Sequence, residues 1–447
     1  MVGVIRRIDL RGQALSNRAL VDALPRPELS VDNAAEIVAP ILADVRVRGA
    51  AALRDLSERF DGTRPEYLRV PQSAIDSALR DVDPELRQAL AESITRVRAV
   101  HEAQRPADFS VSVAPGAEVR QRWIPVQRVG LYVPGGLAVY PSSVIMNVVA
   151  AQSAGVPSLA VTSPPQAGSG GLPHPSILAA CAMLGVDEVY AVGGAQAIGM
   201  LAFGAAGETA TDGDVLCEPV NVITGPGNVY VAAAKRLVRG SVGIDSEAGP
   251  TEIAILADSS ADPEFLAADL ISQAEHDPNA AAVLVTDDEA LVEQVEERVA
   301  ARAADTPNAE RVGTALGGQQ SAIVLVDSIE DGLRVVDAYG AEHLELHTEN
   351  AAELATRVNS AGAIFVGPYS PVSLGDYMAG SNHVLPTGGV AHYSSGLGVH
   401  SYLKAVQVIE YSDRALSEVG EKIIAFARAE HLPAHGEAIE VRLDATV

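Results

Sequence analysis

Residues 128–164 read RVGLYVPGGLAVYPSSVIMNVVAAQSAGVPSLAVTSP, and their order decides the fold class. Arg128–Gly136 is an apolar, strand-forming run that stops in a Pro-Gly-Gly turn. Pro141–Gly155 is a helix with Ser142 or Ser143 as its cap and Gly155 as its stop, and Ser158–Pro164 is a second strand. The alternation continues through PSILAACAMLG, EVYAVGG, AQAIGMLAFG, VNVITGPGN and VYVAAAKRLVRG. Strands this uniformly apolar are covered on both faces, so the stretch predicts a βα-repeating module around a parallel sheet.

After IDSEAGP a second series begins with TEIAILAD, DPEFLAADLISQAEHDP and AAVLVTD, and runs through SAIVLVDS, IEDGLRVVDAYGAEH and LELHT to AGAIFVG. Two βα modules in tandem imply a cleft between them. Toward the N-terminus, Ile37, Ile41, Val45 and Leu53 recur at near-helical spacing, with Gly49 and Gly62 as stops, and predict a helical preface. Past Gly367 the chain is rich in Gly, Ser, Tyr and His, then forms an amphipathic helix around LSEVGEKIIAFARAEH and a short strand AIEVRL. Pro165–Pro175 (PQAGSGGLPHP) reads as a mobile surface insertion. The expected fold is α/β: two tandem Rossmann-like βα modules (residues 122–250 and 251–380), an N-terminal helical segment (1–121) and a small C-terminal tail domain (381–447).

At 447 residues the chain exceeds one compact core. Lys and Arg number 32 against 58 Asp and Glu, and the net charge of -26 repels nucleic-acid phosphates and anionic lipid, so neither partner is expected. The longest uncharged run, Val129 to Val186, is broken by Pro134, Pro141, Gly155, Pro157 and Pro164, which rules it out as one membrane-spanning helix. Cys181 and Cys217 are too few for a thiolate zinc site or a disulfide framework and read as small buried apolar residues. MVGVIRRIDLRG lacks the apolar run of a secretory signal, and the expected location is cytoplasmic.

No G-x-G-x-x-G follows a strand, and no G-x-x-x-x-G-K is present. Three Gly-containing turns stand at strand ends instead: Leu131–Gly136, Val192–Ala197 and Thr224–Asn228. Glycine allows close backbone approach and helix N-termini hold phosphates, so three such turns in one module suit a nucleotide cofactor as well as plain tight turns. In ISQAEHDPNA, Ile271–Ala280, Gln273 and His276 share a helix face at i and i+3, and Asp277-Pro278 ends the helix. Glu275 and Asp277 point off that face and read as solvated or as lying just behind Gln273 and His276. Further histidines lie in GAEHLELH (Glu342, His343), SLGDYMAGSNHVLP (Asp376, His383) and AEHLPAHGE (Glu430, His431, His435). Imidazole and carboxylate without thiolate suit zinc or manganese with open positions, or ordinary hydrogen-bonded loops. An adjacent Glu and His at a helix-to-strand junction supply the paired bases of proton-coupled chemistry.

Taken in order, VGLYVPGG, VDEVYAVGGAQAIG, ITGPGNVYVAAAKR, AGPTE, DLISQAEHDP, YGAEHLEL, GPYSPVSLGDYMAGSNHVLPT and EHLPAHGEAIEVR resemble the histidinol dehydrogenase family over essentially the whole chain. The resemblance implies oxidation of L-histidinol through L-histidinaldehyde to L-histidine, with two NAD+ and one Zn2+ per subunit. It places the metal on Gln273, His276, Asp376 and His435, with substrate nitrogens completing the sphere, so that zinc is a template for the substrate. It implies His343 as base for the alcohol proton and Glu342 as base for the water that adds to the aldehyde. Thr251, His383 and Glu430 fall at substrate-contacting positions, Thr251 standing where many relatives have Ser. Tyr132, Gln196 and Asn228, one in each Gly-containing turn, fall at the NAD+ positions, and the missing glycine fingerprint predicts a loosely held dinucleotide. The resemblance further implies a homodimer whose C-terminal tail, with His435, reaches the partner's site. Without it, the residues also suit a zinc hydrolase or lyase using Glu342 or Glu275, or a non-catalytic α/β protein binding a small cation.

Overall fold

The computed structural model describes residues 5–14, 16–26, 31–135, 139–207, 215–247 and 249–444. Gly136 of the first turn, Ala248 before Thr251, and residues 208–214 before Cys217 lie outside the described residues.

Five parallel strands form the first sheet, in the order Gly243–Ile244, Val222–Thr224, Arg128–Tyr132, Ser158–Ser163, Val189–Ala191. The Pro141–Ala154 helix is buried almost all round, as its apolar composition demands, and Gly155 ends it in the left-handed region at φ 85°. Its N-cap is Tyr140, with no side-chain capping bond, so neither Ser142 nor Ser143 caps it. Pro141 sits just inside the helix start, where its missing N–H costs nothing.

The second sheet has six parallel strands, in the order Arg6–Asp9, Ala322–Leu325, Ala281–Thr286, Glu252–Ala257, His343–His347, Ala363–Val366. Its two faces carry separate apolar clusters, one around Ile253, Ile255, Leu270 and Ile323, the other around Leu256, Val285, Val336 and Leu344. The N-terminal part is mostly helical, with helices from Val31–Arg48 to Pro84–Ala103. It also supplies the edge strand Arg6–Asp9 and the hairpin Phe109–Ala114/Ala117–Pro125, which the helical reading does not contain. That hairpin pairs antiparallel with Leu403–Tyr411.

Residues 438–443, expected as a strand, are instead helical within Pro433–Asp444. AIEVRL alternates like a strand, but Ile439 and Leu443 are also four apart, and both lie over Gly420 of the neighbouring Asp413–Ala429 helix, where a β-carbon would come within 3.3 Å and 2.9 Å of them. Tertiary packing decides between the two periods. The Pro165–Pro175 stretch is a closed turn, with Gln166 bonded through its backbone to Leu172 and through its amide to the Gly135 carbonyl. Cys181 and Cys217 are free and buried, as the sequence suggests. Among the described residues no helix is long and apolar enough to cross a membrane.

Candidate active site

The first module presents its Gly-containing turns at the carboxyl ends of three strands of one sheet, Val222–Thr224 beside Arg128–Tyr132 and Val189–Ala191 one strand further on, the end where open α/β sheets usually bind ligands. The second module is used from the opposite edge. Thr251 and Glu342 immediately precede the neighbouring strands Glu252–Ala257 and His343–His347, which pair with Ile253 opposite His343. Gln273 lies at the carboxyl end of the Pro263–Ala274 helix, whose terminal carbonyls favour a cation.

A directed hydrogen-bond chain orders this edge. The Glu342 carboxylate accepts from the Thr251 hydroxyl (2.6 Å) and the Glu252 N–H (3.0 Å). Thr251, having given its proton to Glu342, accepts from the Gln273 amide nitrogen at 2.9 Å. The amide is thereby oriented, and Gln273 Oε1 is left buried with no partner. His343 Nδ1 faces the Glu252 carbonyl at 3.2 Å, and since a carbonyl only accepts, Nδ1 carries the proton. Nε2 is then a buried lone pair, also without a partner. Burial pushes Glu342 up to about 7, against the opposing pull of His343, so this carboxyl exchanges protons near neutral pH.

His276 follows the helix end; its backbone N–H donates to the Gln273 carbonyl at 3.3 Å. Burial lowers its pKa against the charge of Asp376, so a neutral imidazole faces a carboxylate. His383 is lowered by burial too, and its Nδ1 faces the Asp376 carbonyl at 3.1 Å. Its Nε2 meets Ser143 Oγ at 3.1 Å, which joins the first module's buried helix to the site. Burial, and after it the neighbouring Tyr377, raises the pKa of Tyr140 at the start of the same helix, with a smaller contribution from Asp376. The two modules therefore meet here. Glu275 is exposed and accepts from the Asn308 amide, and Asp277 caps the Asn279 turn, although the charge of Glu275 still reaches His276.

Thr251, Gln273, His276, Glu342, His343, Asp376 and His383 thus form one interacting group. His435 and Glu430 do not join it within a single chain. Both are exposed, Glu430 at the end of the Asp413–Ala429 helix and His435 in the first turn of the Pro433–Asp444 helix, with no side-chain hydrogen bond or ion pair to the group among the described residues.

At the Gly-containing turns, the Tyr132 hydroxyl accepts the Gly194 N–H at 3.1 Å, and burial pushes that hydroxyl up to about 12. Gln196 is buried with its Nε2 unpartnered. Asn228 is exposed and caps the Val229–Val238 helix by accepting from Tyr230 and Val231 N–H groups.

Three residues beneath the site were not singled out from sequence: Asp269, Glu345 and His347, whose ligand-type atoms lie within 4.8 Å of one another. The HLELH alternation was the available signal, since it aligns His343, Glu345 and His347 on one strand face. Ser143, a cap candidate in the sequence, instead bonds His383.

A family model described as histidinol dehydrogenase matches residues 24–443. Histidinol dehydrogenase of Thermobifida fusca is 60% identical over 443 residues, 99% of this chain and 98% of that protein. That of Mycolicibacterium smegmatis is 58% identical over 438 residues, 98% of each. The crystal structure of histidinol dehydrogenase from Elizabethkingia anophelis matches with a TM-score of 0.90 at 32% identity, covering 99% of both chains. Two parallel sheets, with a buried Glu–His pair at one edge of the second, define in this company an α/β oxidoreductase. The chain belongs to the histidinol dehydrogenase family.

Proposed function

We propose that this chain oxidises L-histidinol to L-histidine by way of L-histidinaldehyde, with two NAD+ and one Zn2+ per subunit, in the cytoplasm. The observation that carries the reading is the pair of buried, unpartnered atoms at one edge, Gln273 Oε1 and His343 Nε2. Leaving such atoms unsatisfied costs about 1–3 kcal/mol each, a cost that bound ligands would offset.

The donor set fits zinc: an oriented amide oxygen, a neutral imidazole at His276 and the carboxylate of Asp376. Zinc, when bound, would act as a template for the substrate's nitrogens. NAD+ would accept hydride in each oxidation, and the unpartnered Gln196 Nε2 and the exposed helix start at Asn228 suit its polar groups. In the first oxidation His343 Nε2 takes the alcohol O–H proton as the carbon gives up hydride. Water then adds to the aldehyde carbon, Glu342 taking one of its protons while His343 returns the alcohol proton to the aldehyde oxygen; as the resulting hydrate gives up the second hydride, His343 Nε2 takes a hydroxyl proton and the carboxyl group forms. His383, held between Ser143 and Asp376, and Thr251 line the same space.

His435 and Glu430 would come from a second copy of the chain. Supporting this, the three-stranded sheet leaves Phe109, Val111, Val113 and Ile409 exposed, an apolar surface that a monomer rarely presents. Formation of NADH on adding L-histidinol and NAD+, measured before and after chelation, tests the proposal.

A further inference from the structure

His343, Glu345 and His347 lie along one face of their strand, His343 at the site and the other two further along the strand, all three buried. Glu345 has no solvent exposure. Its Oε1 accepts the backbone N–H of Val372 at 2.9 Å, and its Oε2 lies 3.3 Å from His347 Nε2, with Asp269 beside both. Burial, and then the charge of Glu345, raises the pKa of Asp269, so the second carboxyl tends to keep its proton next to the first.

The neighbours of Glu345 are what matter. Val372 opens the Val372–Tyr377 helix, which carries Asp376. Asp269 lies one turn before Gln273 in the Pro263–Ala274 helix. Glu345 itself is two residues beyond His343. One side chain therefore touches all three elements that present the proposed ligands and the proposed base. Glu345 Oε2 lies beside Asp269 and His347 without a hydrogen bond of its own, so the Val372 N–H is the bond that offsets the carboxylate's desolvation and the Asp269 carboxyl is the neighbour that must stay beside it, which ties both helices to Glu345.

Resting on the zinc reading above, we infer that Glu345 is a positioning residue: from beneath, it holds the helix of Asp376 and the helix of Gln273 in register, so that both ligands face one metal ion. It touches neither substrate nor metal.

The test is Zn2+ affinity of the full chain, by competition with a chromophoric chelator, for wild type and three variants. Glu345→Ala removes the anchor. Val372→Pro deletes the anchored N–H and puts a similar apolar volume in place of the buried Val372 side chain, because proline is tolerated at a first helical position and Pro371 before it already has the extended conformation such a residue needs, φ -70° and ψ 158°. Glu345→Gln keeps an acceptor for Val372 and offers an amide donor to Asp269. Glu345→Ala and Val372→Pro should each bind Zn2+ about 10- to 100-fold more weakly, with Glu345→Gln near wild type. Should Glu345→Ala fail to fold, Val372→Pro decides.

Wild-type affinity in Val372→Pro overturns the inference. So does a second zinc equivalent in wild type that Glu345→Ala alone removes, which would make the cluster a metal site in its own right. A wild-type chain that binds no Zn2+ overturns the ligand assignment itself, and the inference with it.

Discussion

Gln273 donates its amide N–H to the Thr251 hydroxyl over 2.9 Å, and that bond turns its carbonyl oxygen toward the site. Thr251 is oriented in turn by Glu342, at 2.6 Å, so a proposed ligand and a proposed base share one hydroxyl. Thr251→Val keeps the shape and deletes the relay. Zinc affinity should fall about 10-fold or more, while Thr251→Ser stays close to wild type. Chelator competition on the purified variants checks this, and an unchanged Thr251→Val would show that Gln273 needs no such orientation.

Glu342 makes stability depend on pH in a stated direction. Burial raises its carboxyl from 4.5 to about 7, so between those values the folded state holds more proton than the unfolded one. The contribution favours folding below about pH 4.5 and is lost as pH rises through about 7; above that, burying the charge costs on the order of 2–3 kcal/mol. Metal-free Glu342→Gln should therefore melt higher than wild type near pH 8, and the gap should close toward pH 5. Melting curves at the two pH values suffice, and a gap that widens on acidification would contradict the assignment.

His343→Ala should separate chemistry from metal binding. Removing a general base commonly costs about 10²–10⁴ in rate. Zinc content, read by atomic absorption, should stay at the wild-type level, because Nε2 is assigned to the alcohol proton and not to the metal. Loss of zinc in proportion to activity would recast His343 as a ligand.

Gly225 holds the turn beside Tyr132 at φ +121°, and a β-carbon there would lie 2.0 Å from the Tyr132 carbonyl oxygen. Gly225→Ala should destabilise the first module by about 2–4 kcal/mol and weaken NAD+ binding together with it. Denaturant titration and calorimetry report the two effects, and a stable variant with weakened NAD+ binding alone would point to direct cofactor contact instead.

If His435 serves the partner's site, two inactive variants should complement. Mixed dimers of His343→Ala and His435→Ala contain one site with both histidines intact, so co-expression should restore turnover that neither variant has alone. Mixtures as inactive as the parents would place His435 in its own subunit's site.

Much of this architecture is local and so legible in the sequence. Gly155 ends its helix where the pattern says, and Glu342-His343 sits at the helix-to-strand junction it predicts. Gln273 and His276 do face the site, although the helix stops at Ala274 and His276 lies just past it. What the sequence hides is long-range. Arg6–Asp9 becomes a strand only because Ala322–Leu325 offers an edge, and residues 438–443 become helical only because Gly420 leaves room for Ile439 and Leu443. The Ser143–His383 contact joins residues 240 positions apart, and Asp269 meets Glu345 across a helix–sheet interface. No local period encodes either meeting.

The central claim, a zinc-dependent oxidation of L-histidinol with NAD+, is tested most directly by counting NADH against histidine formed. The account predicts two NADH per L-histidine, abolished by chelation and restored by Zn2+. NADH production that survives complete zinc removal, or none at all from L-histidinol with zinc bound, would contradict it.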